Sequence, residues 1–426
     1  AACVNGATQT ACVNNDSCCS AACNANNDGD CKPVCGNSVI ESGESCDPLT
    51  SCPTTCPQVG CQLRSLTGGG TCAARCVNSG TAGCSGATSD GCCGTNASGA
   101  MCTHLTDIDC PVPNDKCDGA IDVSAGGLFS VDLLPQAKAD VKAPANCAGV
   151  ADSPEVFFWF ELTQPEWVYL DVLDTTNPAV TPVGLSIELY DSACPTQGKL
   201  IACADGTVGT KRCPGPVGAA GLAIPVIDSG RGGVLGKPMP AGKYWVAIRL
   251  NKENPGRWAF RYDHVPVACV PTANELVIPA SGTGVLGTTT CQQGDEFDPT
   301  CAPRASALSG LDMTYMVIKC PNQLASFTTC AGKTVSDTVL SAAMGSFAFA
   351  KDKGCTPVGD GKELACDAGD PNSRLCPFPG SGSVTVDTAR SGLLIVNVDA
   401  QPNAAGATCG SFELDYCAAK TCATPQ

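Results

Sequence analysis

Thirty-four cysteines and only two histidines, His104 and His264, stand among 426 residues. Thiols this dense either hold a soft metal or cross-link the chain. Zinc sites pair cysteines two to four residues apart, often with histidine support. Such spacings occur at Cys52/Cys56 and Cys56/Cys61, but there is no C-x-x-C and histidine is scarce. Disulfides fit the number better, because an oxidising compartment turns exposed thiols into staples. The chain is therefore expected to be secreted, extracellular or at a cell surface. Its first residue, Ala1, fits a mature chain whose signal peptide has been removed.

Oxygen ligands form a second candidate chemistry. In NANNDGD, residues 24–30, side-chain oxygens recur at Asn24, Asn26, Asp28 and Asp30, with Gly29 at the sixth position. This approximates the first half of a calcium loop, but Cys35 stands at the twelfth position, where a bidentate Glu is needed. Calcium at these four residues and a plain Asx-type turn both remain open. Calcium is the one cofactor the sequence suggests.

Catalytic patterns are sparse. No H-E-x-x-H and no G-x-S-x-G occur, and neither histidine has a nucleophile at motif spacing, so both are read as surface residues. GTGVLG, residues 282–287, matches G-x-G-x-x-G, but TTTCQQGDEF follows instead of a helix, so a loop or hairpin is expected. The expectation is a protein that is not an enzyme. All four tryptophans, Trp159, Trp167, Trp245 and Trp258, fall between residues 111 and 268. Sandwich core is the plain reading. Trp167 and Tyr169 share a strand face with Asp171, which makes those two the candidates for a surface aromatic strip that binds sugar or protein.

These residues sit on three kinds of element. Residues 3–33 and 76–111 are related modules: both read Cys-Val-Asn, then a cysteine, a Cys-Cys pair, another cysteine and a closing Asp-x-Asp-Cys. Their cysteines are Cys3, Cys12, Cys18, Cys19, Cys23 and Cys31, matched by Cys76, Cys84, Cys92, Cys93, Cys102 and Cys110. A further six lie in 35–72 between them. Each group is even and could close on itself, although spacing does not give connectivity. Residues 1–110 are thus expected to be a disulfide-rich, loop-rich scaffold, stapled where it cannot be packed.

From residue 111 the texture changes to strand patterns such as EVFFWFEL, GKYWVAIRL and GRWAFRY. A second copy starts near 269. The clearest match sets Cys194, Cys203 and Cys213 against Cys355, Cys366 and Cys376; each series holds Gly-Lys-x-[Ile/Leu]-Ala-Cys and ends on Cys-Pro. The expected fold is all-β: the scaffold, then two tandem antiparallel jelly-roll-like β-sandwiches over 111–268 and 269–426. The first β segment holds five cysteines and the second eleven. Both numbers are odd, so full pairing requires at least one bridge across the boundary.

The stretch CGNSVIESGESCD, residues 35–47, resembles the myxobacterial-type cysteine-rich repeat, C-G-[ND]-G-x-x-E-x-G-E-x-C-D, with Ser38 replacing the usual Gly. The β segments resemble bacterial pre-peptidase C-terminal domains. NDKCDGAIDV, DTVLSAAMGSFAFAKDKGC, LACDAGD, AGKYWVAIRL and GRWAFRY carry that likeness. It implies secreted accessory β-sandwich modules, often near calcium and not catalytic themselves. The peptidase domain that usually accompanies them is missing from this chain.

A net charge of −16 would repel nucleic acid, and no run of about 18 apolar residues exists, so no membrane span is expected. The leading expectation is a structural subunit of an extracellular fibre or filament that associates with itself or with a cell-surface partner. The alternatives are a calcium-supported adhesin for glycan or protein, and an accessory chain of a secreted hydrolase.

Overall fold

β-Branched and aromatic residues alternating with polar ones, in runs bounded by Gly, Pro and Asn, suit pleated, half-buried strands. The computed structural model is all-β accordingly, with no α-helix among the described residues. It describes residues 11–418 except 87, 134–136, 138, 143, 145–146, 148–152, 175–184, 196–197, 206–212, 214–223, 251–255, 272–273, 280, 292–296, 298, 302–310, 322, 331–333, 335–336, 352–353, 369–380, 388–389 and 402–408. Cys3 and Cys376 lie outside the described residues. Two units form, 1–111 and 112–426.

Among its described residues the first unit has one regular hairpin, β1 (Gln62–Thr67) with β2 (Arg75–Thr81). Turns held by disulfides make up the rest. Cys12–Cys23 and Cys19–Cys31 in one module correspond to Cys84–Cys102 and Cys93–Cys110 in the other. The middle group does not close on itself. Cys35–Cys72 and Cys46–Cys52 stay within it, but Cys56 bridges Cys76 and Cys61 bridges Cys92. The hairpin is the reason: Cys61 immediately precedes β1 and Cys76 lies on β2, so strand pairing draws the two groups together. The apolar cluster here is only Cys46, Cys52, Cys72 and Ala74, with Leu66 against it. No cysteine is free among the described residues, which suits an oxidising, extracellular setting.

The second unit holds two sandwiches of the same topology. The first is built from β3 (Ile121–Asp122), β4 (Gly127–Leu133), β5 (Glu155–Leu162), β6 (Glu166–Asp174), β7 (Leu185–Asp191), β8 (Leu200–Ala204), β9 (Val226–Asp228), β10 (Gly242–Leu250) and β11 (Gly256–Pro266). The second repeats the set as β12 (Glu275–Leu276), β13 (Thr283–Thr289), β14 (Asp312–Lys319), β15 (Leu324–Thr328), β16 (Thr338–Ala350), β17 (Gly354–Asp367), β18 (Ser383–Asp387), β19 (Gly392–Ala400) and β20 (Ser411–Cys417). The five-stranded sheets run β3-β5-β10-β7-β8 and β12-β14-β19-β16-β17; the four-stranded sheets run β4-β11-β6-β9 and β13-β20-β15-β18. Each order maps onto the other strand for strand, and the bridges follow. Cys117–Cys194 and Cys147–Cys203 have counterparts in Cys269–Cys355 and Cys301–Cys366.

Each sandwich has its own core, with Val156, Phe158, Phe160, Val246 and Ile248 in the first and Val317, Phe327, Leu394 and Val396 in the second. A third cluster joins them. Trp167, Tyr169, Val226 and Val265 of the first sandwich pack with Met316, Ile318, Phe347, Leu393 and Ile395 of the second. The hairpin β16–β17 makes this possible. Its strands have 13 and 14 residues, against 7 and 5 in the counterparts β7 and β8. Strand β19 pairs with β16 only as far as Met344. Beyond that point the hairpin outruns its own sheet and lies along the first sandwich, where the Ser346 hydroxyl accepts the His264 N–H at 3.2 Å. Gly345 marks the departure, at φ 111°. A Cβ there would sit 2.4 Å from Arg390 Nη2 and 2.8 Å from Gly361 Cα, so no larger residue fits.

Cys213, the odd cysteine of the first sandwich, bridges Cys320 of the second, and both sit in the joining cluster. The bridge closes a sequence separation of 107 residues. Replacing both cysteines by serine is expected to lower the stability of residues 112–426 by about 2–4 kcal/mol. Denaturant unfolding of the oxidised protein and of the double variant checks this.

Candidate functional site

Side-chain oxygens in the first unit serve its turns. Asn24 Oδ1 accepts the Asn26 N–H and Asp28 Oδ1 the Asp30 N–H, both at 3.0 Å. Asn26 turns away and donates its Nδ2 to the Ile40 carbonyl at 2.8 Å. Asp30 Oδ2 accepts from the Asp16 and Ser17 amides at 2.9 and 3.1 Å. The second module repeats the device. Asp107 Oδ1 accepts the Asp109 N–H at 3.0 Å, and Asp109 Oδ2 accepts from Asp90 and Gly91 at 2.7 and 3.0 Å. In both modules, therefore, the carboxylate two residues after another anchors the turn that leads into the Cys-Cys pair. Hydrogen-bond donors hold Asp107 and Asp109 below the usual carboxylate range, the Asp109 amide being the main cause for the first and the Ser89 hydroxyl for the second. Among the described residues, the one convergent group of His, Cys, Asp or Glu side chains is Cys35, Glu44 and Cys72, and its two sulfurs are bonded to each other.

The repeat-like stretch 35–47 works the same way. Glu41 is buried and accepts from Val34 N at 2.5 Å, Ala25 N at 3.0 Å and Asn37 Nδ2 at 3.1 Å. These donors, Val34 first, depress its pKa. Asp47 accepts from the Gly36 and Asn37 amides. Gly36 and Gly43 take φ near +100°, and Ser38 takes φ 67°, so the serine adopts the left-handed conformation that a glycine would take freely.

The aromatic pair expected at the surface is buried. Trp167 is 3 % exposed and Tyr169 is 0 % exposed. Strand β6 points Val168, Leu170 and Val172 into its own sandwich, and the second sandwich covers the opposite face. Trp167 Nε1 donates to the Val270 carbonyl at 2.9 Å, and the Tyr169 hydroxyl donates to Asp171 Oδ2 at 2.7 Å. His264, expected at the surface, is also buried, with Nδ1 2.5 Å from Glu166 Oε2. The G-x-G-x-x-G segment is mostly strand, within the edge strand β13.

The outward aromatic face lies elsewhere. Trp159 on β5 stands directly opposite Trp245 on β10, and Trp245 in turn lies opposite Tyr190 on β7. Both indoles are half-buried. The exposed Lys243 ammonium sits 3.6 Å from the Trp159 ring centroid and 5.3 Å from that of Trp245, a cation–π arrangement. Period-two alternation in EVFFWFEL and GKYWVAIRL puts Trp159, Lys243 and Trp245 on the face opposite Phe158, Phe160 and Val246, a signal legible in the sequence. Further along this face the sheet is covered. Arg249 Nη1 meets Glu155 Oε2 at 2.9 Å and its Nε meets Glu188 Oε1 at 3.0 Å, all fully buried. Glu155 also accepts the Asp140 and Val141 amides. Desolvation nevertheless pushes the Glu155 carboxyl up to about 7, against the opposing pull of Arg249.

No protein-family model matches the chain, and no curated protein matches it. Solved structures that align with it include the pre-peptidase C-terminal domain of collagenase from Bacillus anthracis (12% identity, 34% of this chain and 93% of that one, TM-score 0.21). Others are PNGase F, a glycosylasparaginase from Flavobacterium meningosepticum (12% identity, 70% and 99%, TM-score 0.17), and a Paenibacillus xanthan lyase (12% identity, 76% and 29%, TM-score 0.18). TM-scores this low assign no activity. No helix among the described residues is long and apolar enough to cross a membrane.

The paired hydrogen bonds at Asp30 give a direct test. Asp30→Ala removes the acceptor of two water-accessible amides and is expected to cost about 0.5–1.5 kcal/mol in the first unit. With Asn24 Oδ1, Asp28 Oδ1 and Asp30 Oδ2 each accepting backbone amides, melting curves of the wild type in calcium and in chelator are expected to coincide. A calcium-dependent rise that Asp28→Ala removes would instead place an ion at this turn.

Proposed function

We propose that this is a secreted, non-enzymatic structural protein, a subunit of an extracellular surface fibre or filament. The observation that carries the reading is the fused tandem. Two sandwiches share a third apolar cluster and a Cys213–Cys320 bridge, so residues 112–426 behave as one stiff block. Stiff blocks suit load-bearing repetition, because a contact that recurs head to tail without closing generates an open filament. Free edge strands add a route. Among the described residues strand β13 pairs only with β20, and Val285 on it is 57% exposed, so its outer edge can accept a strand from another molecule.

A second reading is favoured by the Trp159–Trp245 face. Two half-buried indoles with an ammonium over them form a platform for a glycan or a protein partner on the first sandwich.

Electron microscopy of the purified protein tests the first reading, with fibres of regular repeat expected. A version lacking residues 1–34 reports whether the scaffold forms the joint. Compact monomers at every concentration would remove the filament reading. Glycan-array binding that is lost in Trp159→Ala and Trp245→Ala, with unchanged melting, would support the second.

A further inference from the structure

The joining face between the sandwiches is rich in buried charge. Asp171 on β6 and Asp263 on β11 are both fully buried there. Asp263 accepts the Leu393 N–H at 3.1 Å and lies 3.4 Å from Arg261 Nη1. Asp171 accepts the hydroxyls of Tyr169 and Ser391, and its Oδ1 has no hydrogen-bond partner. From β17, Asp360 pairs with Arg261 Nη1 at 3.0 Å and with Arg390 Nη2 at 2.8 Å. Glu166 and His264 form their own pair at the edge of the same face. On the remaining strands, Asp228 of β9 lies near Tyr169, and the Lys319 amine of β14 donates to the Arg390 carbonyl at 2.9 Å. Asp171 and Asp263, both fully buried, and the partly exposed Asp360 thus gather around the Arg261 and Arg390 guanidiniums.

We propose that this junction is a proton-responsive clasp, tightest in a mildly acidic medium and looser as the medium approaches neutrality. The physical reason is that a carboxyl group taken fully out of water is more stable neutral than charged where its ion pairs and hydrogen bonds do not offset the lost hydration. Desolvation raises Asp263 from its ordinary 3.8 to about 6, opposed by Arg261 and Arg390, and desolvation raises Asp171 as well. A group whose pKa is higher in the closed form stabilises that form fully below its open-state value. The contribution is lost as pH rises through the closed-state value. For Asp263 that window runs from about 4 to about 6. The inference stands whether or not the tandem assembles, since it concerns closure within one chain. The two halves stay covalently tied through Cys213–Cys320 throughout, so the change is one of local opening and not of separation.

Hydrogen exchange of the intact oxidised protein between pH 4.5 and 7.5, corrected for the intrinsic pH dependence of exchange, tests this. Amides of β11 and of residues 346–349 and 358–361 in β16–β17 are expected to lose protection by up to about tenfold per pH unit as pH rises to about 6, then level off. Asp263→Asn should flatten that slope, while Glu161→Gln, at an exposed position of β5, should leave it unchanged. Protection that is level or rising across this range in the wild type overturns the proposal, and so does an unchanged slope in Asp263→Asn. If Asp263→Asn does not fold, the wild-type profile decides by the same criterion.

Discussion

The arrangement of residues 112–426 depends on covering the outer face of β6 and β11. Trp167, Tyr169 and Val265 are too apolar to face water in company, and the overlong β16–β17 hairpin lays Phe347 against that cluster. Each fully buried side chain of this size contributes roughly 1.5–3 kcal/mol. Because the same face carries Asp171, Arg261 and Asp263, closing it buries charge as well. The polar residues must then find partners across the junction, and Asp360 and Arg390 supply them.

Duplication followed by divergence accounts for the rest of this unit. The two sandwiches keep one strand order and two equivalent bridges. They differ where β7–β8 is short and β16–β17 is long. In the first copy the five-stranded sheet keeps part of its outer face open, with Trp159, Trp245 and Lys243, while a buried Arg249–Glu155–Glu188 group occupies the other part. In the second copy the equivalent sheet is the one that meets its neighbour. One inherited face has become an inner seam in one copy and an outer surface in the other.

The first unit solves a different problem. With four small residues as its main apolar cluster, hydrophobic burial alone cannot order it. Disulfides limit the unfolded chain, and carboxylates such as Asp30, Glu41 and Asp109 gather backbone amides that no strand or helix satisfies. The left-handed Ser38 belongs to the same logic: the turn is held by Asp47 and Glu41 around it, so the conformation persists without glycine.

Composition and alternation alone determined that the chain is all-β and rich in disulfides, because thiol number and period-two patterning are local properties. The internal match of Cys194, Cys203 and Cys213 with Cys355, Cys366 and Cys376 marks the duplication, and odd cysteine numbers mark a bridge between the copies. What alternation cannot reveal is which polar-looking face is later covered. Trp167 and Tyr169 read as a surface strip because Asp171 shares their face, yet the neighbouring sandwich buries all three. His264 was hidden for the same reason. Likewise, the calcium-like spacing of Asn24, Asn26, Asp28 and Asp30 does not show that Asn24 Oδ1, Asp28 Oδ1 and Asp30 Oδ2 accept backbone amides in the folded turn. Long-range packing and pairing decided those points, since the deciding neighbours, such as Val270 for Trp167 and Ser391 for Asp171, lie more than a hundred residues away.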